Sequence, residues 1–516
     1  MFSRIAHIIL LTVCAYLPAF NSSAGQLTRT GDDLKEIITR IATDIPYRNA
    51  LRIHEAVLLQ EFYEQNEYSL QWFATPATIS KRSSLVRLIS EPGKYMLEKG
   101  SYPVAALSAG KIPATKKDTL LAEIMFSDAA LSFLKDIAYP TSSMVKYNGW
   151  EYQPDCTAIP SLLQQALIRD ELEFCIREAE PENIQYKKIK AAYEKLYSLS
   201  IENNFHEIKV ESKTVALSNN KLVNKLKQLG YMGLKDSTEK QLLTALNKLQ
   251  ASHSLLVQKK INAYCLQVLN EPIKEKLEEL RWNVRWYRWL NCMQNKSYIL
   301  VNIAANRLSF IECNSEVLVS KIVVGKISTP SPTLTSVVKN LVYYPYWNVP
   351  FSIATKEMLP KLKRDPHYLD VLKIDVLLGS HVYNSSADIN WHNYSSGNFP
   401  FSFRQQPGCN NSLGLLKFDF ENPFHVYLHD TNNKIAFMSG KRFFSHGCIR
   451  IEKPYELALT LGVPSEKINM DSCFTGMKPQ VIPLNSPMPI FVIYATVDII
   501  DGEIRWFEDA YHKREN

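Results

Sequence analysis

Beyond its N-terminal segment the chain has no apolar run long enough to span a bilayer. Its nine cysteines include no CxxC pair, which argues against a zinc knuckle. No long basic run occurs either. The net charge of +7 and pI near 8.7 are a mild excess. That excess suits a polyanionic partner, wall polymer or nucleic acid alike, and selects neither. With 46% hydrophobic residues, disorder is excluded in favour of folded domains. At 516 residues the chain exceeds one core, so two or three domains are expected.

The N-terminus has what the rest lacks. Arg4 precedes "IAHIILLTVCAYLPAF", and small residues follow at Ser22 and Ala24. A positive start, an apolar core and a small-residue site describe a secretory signal peptide over 1–24, cleaved after Ala24. Val13 before Cys14 is a poor match for a lipoprotein, and Pro18 cuts the run short of an uncleaved anchor. Eight cysteines remain after cleavage. Cys156 and Cys175 are the closest couple and flank a helical pattern, a pairing that the spacing permits without requiring. Cys448 is expected to stay a free thiol.

From about Gly31 to Leu290 the pattern is helical. "DDLKEIITRIATDI" and "LLAEIMFSDAALSFLKDIAYP" repeat apolar residues at three and four. A helical scaffold domain over 27–218 is expected, with no catalytic constellation in it. A second unit over 219–270 contains "NKLVNKLKQLGYM" and a run of short helices. A linking helix over 271–295 carries Trp282, Trp286 and Trp289 on one face. Aromatics can stack on sugars, but core packing is the preferred reading of that stripe.

The period then changes. "SYILVNIAANRLSFIECNSEVLVSKIVVGK" reads as three strands turning at Ala305-Asn306 and Asn314-Ser315. "PIFVIYATVDIIDGEIRWF" reads as a hairpin about Asp501-Gly502. A mainly β domain over 296–508 follows. Within it, about 355–403 is polar and aromatic and is expected to cap a site, with helices near "TKEMLPKLKR" and "HYLDVL". Gly379 and Gly397 are its expected hinges, and Trp391 and Tyr394 are expected to meet a polar peptide rather than pack in a core.

The chemistry concentrates in "VYLHDTNNKIAFMSGKRFFSHGCIRI", Val426 to Ile451. "HVYLHD" alternates, so His425, Tyr427 and His429 share one strand face. Cys448 follows His446 and Gly447. A thiol near an imidazole suits nucleophilic acyl transfer, with the imidazole as base and then acid. Backbone N–H groups at Gly447 and Cys448, with the Tyr427 hydroxyl, would bind an oxyanion. A metal set of His429, His446, Cys448 and Asp430 ranks lower, because it lacks short paired spacing. A purely structural cysteine also ranks lower, given the His, Ser and Gly around it.

The full string "YLHDT…SHGCIRI" resembles the YkuD-type L,D-transpeptidase signature. The likeness continues through "YYPYWNVPFSIATKEMLPKLKRDPHYL" and "RQQPGCNNSLGLLKFDF". These strings are similar to the large multi-domain Gram-negative members, whose scaffold and peptidoglycan-binding-like regions "EFYEQNEYSLQWF" and the "LGY…LQ" unit resemble. Arg450 stands where small members have Asn, as it does in large ones. The "LGY…LQ" unit lacks the family's Asp-Gly and glycine turn.

The resemblance implies an α+β multi-domain fold, with a helical scaffold, a small helical peptidoglycan-binding-like domain and a β catalytic domain bearing a cap. It implies a cysteine acyl-enzyme at Cys448, with His429 as base, His446 supporting the loop, and Gly447 and Tyr427 in the oxyanion site. D-Ala would leave a tetrapeptide stem, and a diaminopimelate amine would accept the acyl group. Arg404 and Arg450 are candidates for substrate carboxylates, with structural ion pairs as the competing reading. Tyr346, Trp347 and Ser445 complete the expected substrate-binding set. Neither cofactor nor metal is expected. Stem peptides, glycan strands and cell-wall synthesis proteins are the expected partners, with no nucleic acid, in the periplasm, and carbapenems should acylate the same thiol. Two alternatives stay open: an L,D-carboxypeptidase or endopeptidase using the same site, and a non-catalytic wall-binding protein.

Overall fold

The structure is a computed structural model describing residues 21–514 except 99, 109–112, 141–143, 154, 203–205 and 470–476, with side chains from residue 30 onward. The expected signal peptide lies largely outside the described residues. Ala24 falls within a helix, Asn21–Thr43. Among the described residues no helix is long and apolar enough to cross a membrane. Two compact units are present, one from 1–138 with 157–180, the other from 139–156 with 181–516.

The first unit is helical. Its central helix, Lys116–Ala138, is buried on nearly every side from Glu123 to Ala138, as a helix without a wet face must be. Two acids inside it do structural work. Glu123 accepts the N–H groups of Gln71 (2.7 Å), Trp72 (3.0 Å) and Phe73 (3.1 Å) and the Tyr63 hydroxyl (2.9 Å). Asp128 accepts the His54 and Glu55 N–H groups ahead of the helix Ala56–Gln65. Burial pushes both carboxyls above their ordinary range, opposed by those donors.

The second unit takes more of the chain than the expected boundary at 218 allowed. Helix Ile184–Ser200 belongs to it and packs on Ile273–Trp289. Residues 139–156 also cross over, placing β1 (Tyr147–Asn148) parallel to Leu334–Thr335. Cys156 bonds to Cys292, not to Cys175. Cys175 is a buried free thiol in the other unit, donating to the Leu172 carbonyl.

Three short helices follow, Asn220–Gln228, Glu239–Ser252 and Ala263–Asn270. Each starts where the sequence supplies a cap: Asn219, Thr238 in a capping box with Gln241, and Asn262. Their core is Leu222, Leu226, Leu242, Leu246, Leu249 and Cys265. Of the tryptophan stripe, Trp286 and Trp289 are core residues under the β domain and Trp282 packs against it, the preferred reading.

The β domain is built on β2 (Tyr298–Asn302), β3 (Arg307–Glu312) and β4 (Ser315–Gly325), the three expected strands. β5 (Leu334–Tyr343) follows. A four-stranded insertion comes next: β6 (Trp347–Asn348), β7 (Ile374–Leu378), β8 (His381–Val382) and β9 (Ser402–Gln405). Then come β10 (Leu416–Phe420), β11 (Leu428–His429), β12 (Phe443–Ser445), β13 (Ile449–Ile451) and β14 (Gln480–Ile493). The hairpin of β15 (Val497–Ile500) and β16 (Glu503–Trp506) turns at Asp501-Gly502, both at positive φ. Its expected first strand is instead β14, which leaves the hairpin and pairs with β2 and β5. The main sheet runs β5-β10-β11-β13-β4-β3-β2-β14 and closes through β14–β5. Its interior is a single apolar core including Ile299, Val301, Leu341, Phe418, Leu428, Ile449 and Phe491.

The insertion has a core of its own. Helical turns stand at Phe351–Leu362 and Tyr368–Val371, where helices were expected. Trp391 is 1% exposed, packs on Phe399, Phe401 and Phe403, and donates its indole N–H to the Ser386 carbonyl at 2.8 Å. The expectation that Trp391 meets substrate is therefore wrong: ten further buried apolar residues share its core, among them Ile374 and Val376 of β7. Gly379 sits at the β7–β8 hairpin tip, at φ +60°, and not at a hinge. The neck is tied by buried Asn411, whose amide reaches the Pro345 (3.2 Å) and Gln406 (3.0 Å) carbonyls. Trp391→Ala is expected to cost about 3–5 kcal/mol of local stability. Hydrogen exchange should show lost amide protection over β7–β9 with β2–β4 unchanged; uniform loss across both would mean that the cap has no separate core.

Candidate active site

β11 and β13 are parallel neighbours, pairing Leu428 with Ile449 and His429 with Arg450. β10 lies on the other side of β11, pairing Lys417 with His429 and Phe418 with Leu428. Residues paired across strands share a face. One rung, Phe418–Leu428–Ile449, is fully buried in the core. The next, Lys417–His429–Arg450, faces the other way. Only Leu428 and His429 form regular strand; His425 has φ +53° and is exposed, so the expected alternation fails at its start.

Cys448 precedes β13 as Tyr427 precedes β11. The Ile449 N–H donates to the Tyr427 carbonyl at 3.1 Å. The Tyr427 backbone N–H and hydroxyl lie close enough to Cys448 to favour its thiolate, and the Tyr427 ring stands 5.6 Å from that of His429. The thiol points to the His425 carbonyl, 3.9 Å away. Burial pushes the half-buried Cys448 thiol up, against the Tyr427 donors and the Lys417 and Arg450 charges. Burial and then the Arg450 charge push His429 down to about 3. Its Nδ1 lies 2.5 Å from the Asp430 carbonyl, with the Leu413 carbonyl also bonded to the ring. A carbonyl only accepts, so Nδ1 carries the proton and Nε2 keeps its lone pair. The resting site is thus a neutral thiol on the strand next to a neutral imidazole with a free Nε2 lone pair.

The loop before Cys448 is strapped down. Gly447 has φ +119°, which only glycine adopts easily. Its carbonyl accepts from the Ser331 hydroxyl at 2.7 Å. Its N–H donates to Ser445 Oγ at 3.1 Å, so it is committed and not open to an oxyanion. Ser445 is 2% exposed and passes its own proton to the Cys448 carbonyl. The expected substrate role for Ser445 gives way to a loop-holding one, because its short side chain folds back onto the residues after it. His446 turns outward instead, its Nε2 2.6 Å from Glu357 of the cap.

Arg404, Tyr346 and Trp347 lie in or beside the cap sheet, with Trp347 opposite Gln405 and Asn348 opposite Arg404. Arg404 stacks over Tyr346 (4.7 Å) and reaches Asp375 at 3.4 Å, the ion-pair reading. Trp347 packs against the cap core. Arg450 differs in having no ion-pair partner among the described residues; its buried Nε, like that of Arg404, has no hydrogen-bond partner. No group of His, Cys, Asp and Glu fit to hold a metal exists among the described residues.

Sequence reasoning missed Lys417, Glu357 and Ser331, and considered Asp430 only as a metal ligand. Lys417 lies over the Tyr427 ring at 4.4 Å and pairs with Asp419 at 2.6 Å. Asp430 accepts the Leu415 N–H at 2.9 Å. Gly414, at φ +62°, makes room for it, since a Cβ there would sit 2.2 Å from Asp430 Oδ2. A glycine two residues before an apolar strand was the available signal for that contact.

The site thus combines a histidine whose Nδ1 proton is committed with a half-buried thiol on the adjoining strand of a closed sheet. Residues 296–468 match the L,D-transpeptidase catalytic domain, YkuD, and residues 57–192 match the Scaffold domain. The chain carries a YkuD L,D-transpeptidase catalytic domain together with a Scaffold domain. A Haemophilus influenzae (strain Rd) protein named "Putative L,D-transpeptidase" is 31% identical over 215 residues, 41% of this chain and 44% of that protein. The chain thus spans less than half of that relative's length. Among solved structures, a cysteine-to-serine mutant of Enterococcus faecium L,D-transpeptidase is 12% identical with TM-score 0.18, covering 38% of this chain and 49% of the other. The Ldtfm-avibactam carbamoyl enzyme is 13% identical with TM-score 0.20, covering 43% and 64%. Overlaps that loose bear no weight.

Two outcomes are expected. Because the Cys448 pKa is raised and His429 stays neutral down to about 3, no thiolate–imidazolium pair forms near neutrality. Alkylation of Cys448 by iodoacetamide should climb with pH through the alkaline range, without an inflection near the ordinary histidine value; a plateau reached below neutral pH would contradict the neutral pair. Glu357→Gln should leave stability within about 1 kcal/mol, as for an exposed pair. It should nevertheless change Cys448 alkylation, by freeing His446 from the cap; an unchanged rate would make that contact incidental.

Proposed function

We propose that the chain is a peptidoglycan L,D-transpeptidase working through a Cys448 acyl-enzyme. The observation that carries this reading is a half-buried thiol on the strand next to a neutral imidazole whose Nδ1 is committed, with the Tyr427 ring against that imidazole. In this reading His429 Nε2 removes the thiol proton as sulfur attacks the carbonyl before the terminal D-Ala of a tetrapeptide stem. The C–N bond breaks, the proton passes to the leaving amine, and D-Ala departs from a thioester. The side-chain amine of a diaminopimelate on a second stem then attacks, loses its proton to His429, and regenerates the thiol. With the Gly447 N–H engaged, the Cys448 N–H is the donor left for the oxyanion, and the Tyr427 hydroxyl, directed to the sulfur at rest, would turn to it as sulfur attacks. Arg450, without an anionic partner, suits a stem carboxylate.

The Cys156–Cys292 disulfide fits an oxidising compartment. Together with the N-terminal apolar run it supports export to the periplasm. The first test is intact mass after meropenem exposure. Wild type should gain one adduct and Cys448→Ala none, with the fold retained by circular dichroism. Purified tetrapeptide muropeptides should then yield dimers linked diaminopimelate to diaminopimelate. Release of D-Ala without dimers would replace transfer with hydrolysis. A Cys448→Ala protein that still cross-links would overturn the nucleophile.

A further inference from the structure

A second cavity, of about 370 Å³, lies in the same unit, lined by helix Ile184–Ser200, the small three-helix core and the β15–β16 hairpin. Its wall carries four cations, Lys195, Lys248, Lys276 and Arg505, and one acid, Glu503. Lys276 is buried and already neutralised by Glu271 at 2.5 Å. Lys195, Lys248 and Arg505 have no ion pair among the described residues, so Glu503 leaves two positive charges unmatched. Gly230, at φ +78°, lies under Lys195: a Cβ there would meet the ammonium at 1.9 Å. The Leu-Gly-Tyr turn therefore admits that ammonium, which a side chain at the turn would displace.

The aromatic wall does not offer a sugar platform. Trp506 is covered by His253, stacked at 5.7 Å and 6°, and by the Lys276 ammonium at 5.0 Å. The Tyr231 hydroxyl is engaged with Ser252 at 2.8 Å. What the pocket presents is charge in a concave, partly apolar setting, of a size that suits a small ligand.

We infer that this cavity binds a compact dianion, gripped by Lys195, Lys248 and Arg505. The site joins the small helical core to the C-terminal hairpin of the β domain and uses no catalytic residue. Its ligand chemistry is shared by the carboxylates of an acidic peptide and by a phosphoryl group.

Isothermal titration calorimetry of the full chain at low ionic strength tests this with two probes, γ-D-glutamyl-meso-diaminopimelate and inorganic pyrophosphate. Saturable binding of at least one is expected, with the tighter probe identifying the source. The double variant Lys195→Gln/Lys248→Gln should weaken it about tenfold or more. Lys240→Gln, elsewhere on helix Glu239–Ser252, should bind normally. Cys448→Ala should bind like wild type, so failure of the acyl-transfer reading leaves this result untouched. No saturable binding of either probe, or affinity unchanged in the double variant, overturns the site.

Discussion

Three strands in register make the site. With β11 parallel to β13 and antiparallel to β10, Lys417, His429 and Arg450 stand on one rung while Phe418, Leu428 and Ile449 stand on the adjacent one. A slip of one residue would drive two cations and an imidazole into the core and expose three apolar side chains. The fully buried rung therefore sets the position of the polar one. The same pairing carries Cys448 alongside Tyr427, whose N–H and hydroxyl favour the thiolate.

That arrangement decides the protonation states. Two cations flank His429 in a buried setting, so the ring loses its proton readily, and its neutral form has a fixed tautomer because the Asp430 carbonyl holds Nδ1. The same cations favour a thiolate, but burial of Cys448 outweighs them. Thiol and imidazole thus rest uncharged, and in the proposed acyl transfer the proton moves as a carbonyl arrives. Charge separation at that moment is favoured by Tyr427, Lys417 and Arg450, groups already in place.

The cap adds a second level of organisation. It folds on its own core of Trp391, Phe399, Phe401 and Phe403, so it meets the barrel as a body and not as a loose loop. It touches the barrel side at two places that matter for the site. Glu357 meets His446 directly. Asn411 at the neck accepts the Leu413 N–H at 2.8 Å, and the Leu413 carbonyl bonds to His429. A shift in the neck would therefore be felt at the imidazole through one residue.

Local patterns were enough to find the helices, the first three strands, the Asp501-Gly502 turn and the crowded stretch around Cys448. Period, caps and turn residues are encoded in neighbours along the chain. The free thiol of Cys448 and the core role of Trp286 and Trp289 were also legible, from surroundings and spacing. Other features were decided only in three dimensions. Cys156 bonds to Cys292 instead of Cys175 because β1 carries it across to the β domain. Trp391 is hidden because β7, β9 and the helical turns over 351–371 contribute their apolar residues to one core with it. Ser445 and the Gly447 N–H are spent on the loop, and Lys417 joins His429, because backbone hydrogen bonds between distant strands choose which side chains meet. Sequence alone determined which residues could do chemistry. Tertiary pairing decided which of them do so together, since register and burial depend on contacts that no short stretch of chain contains.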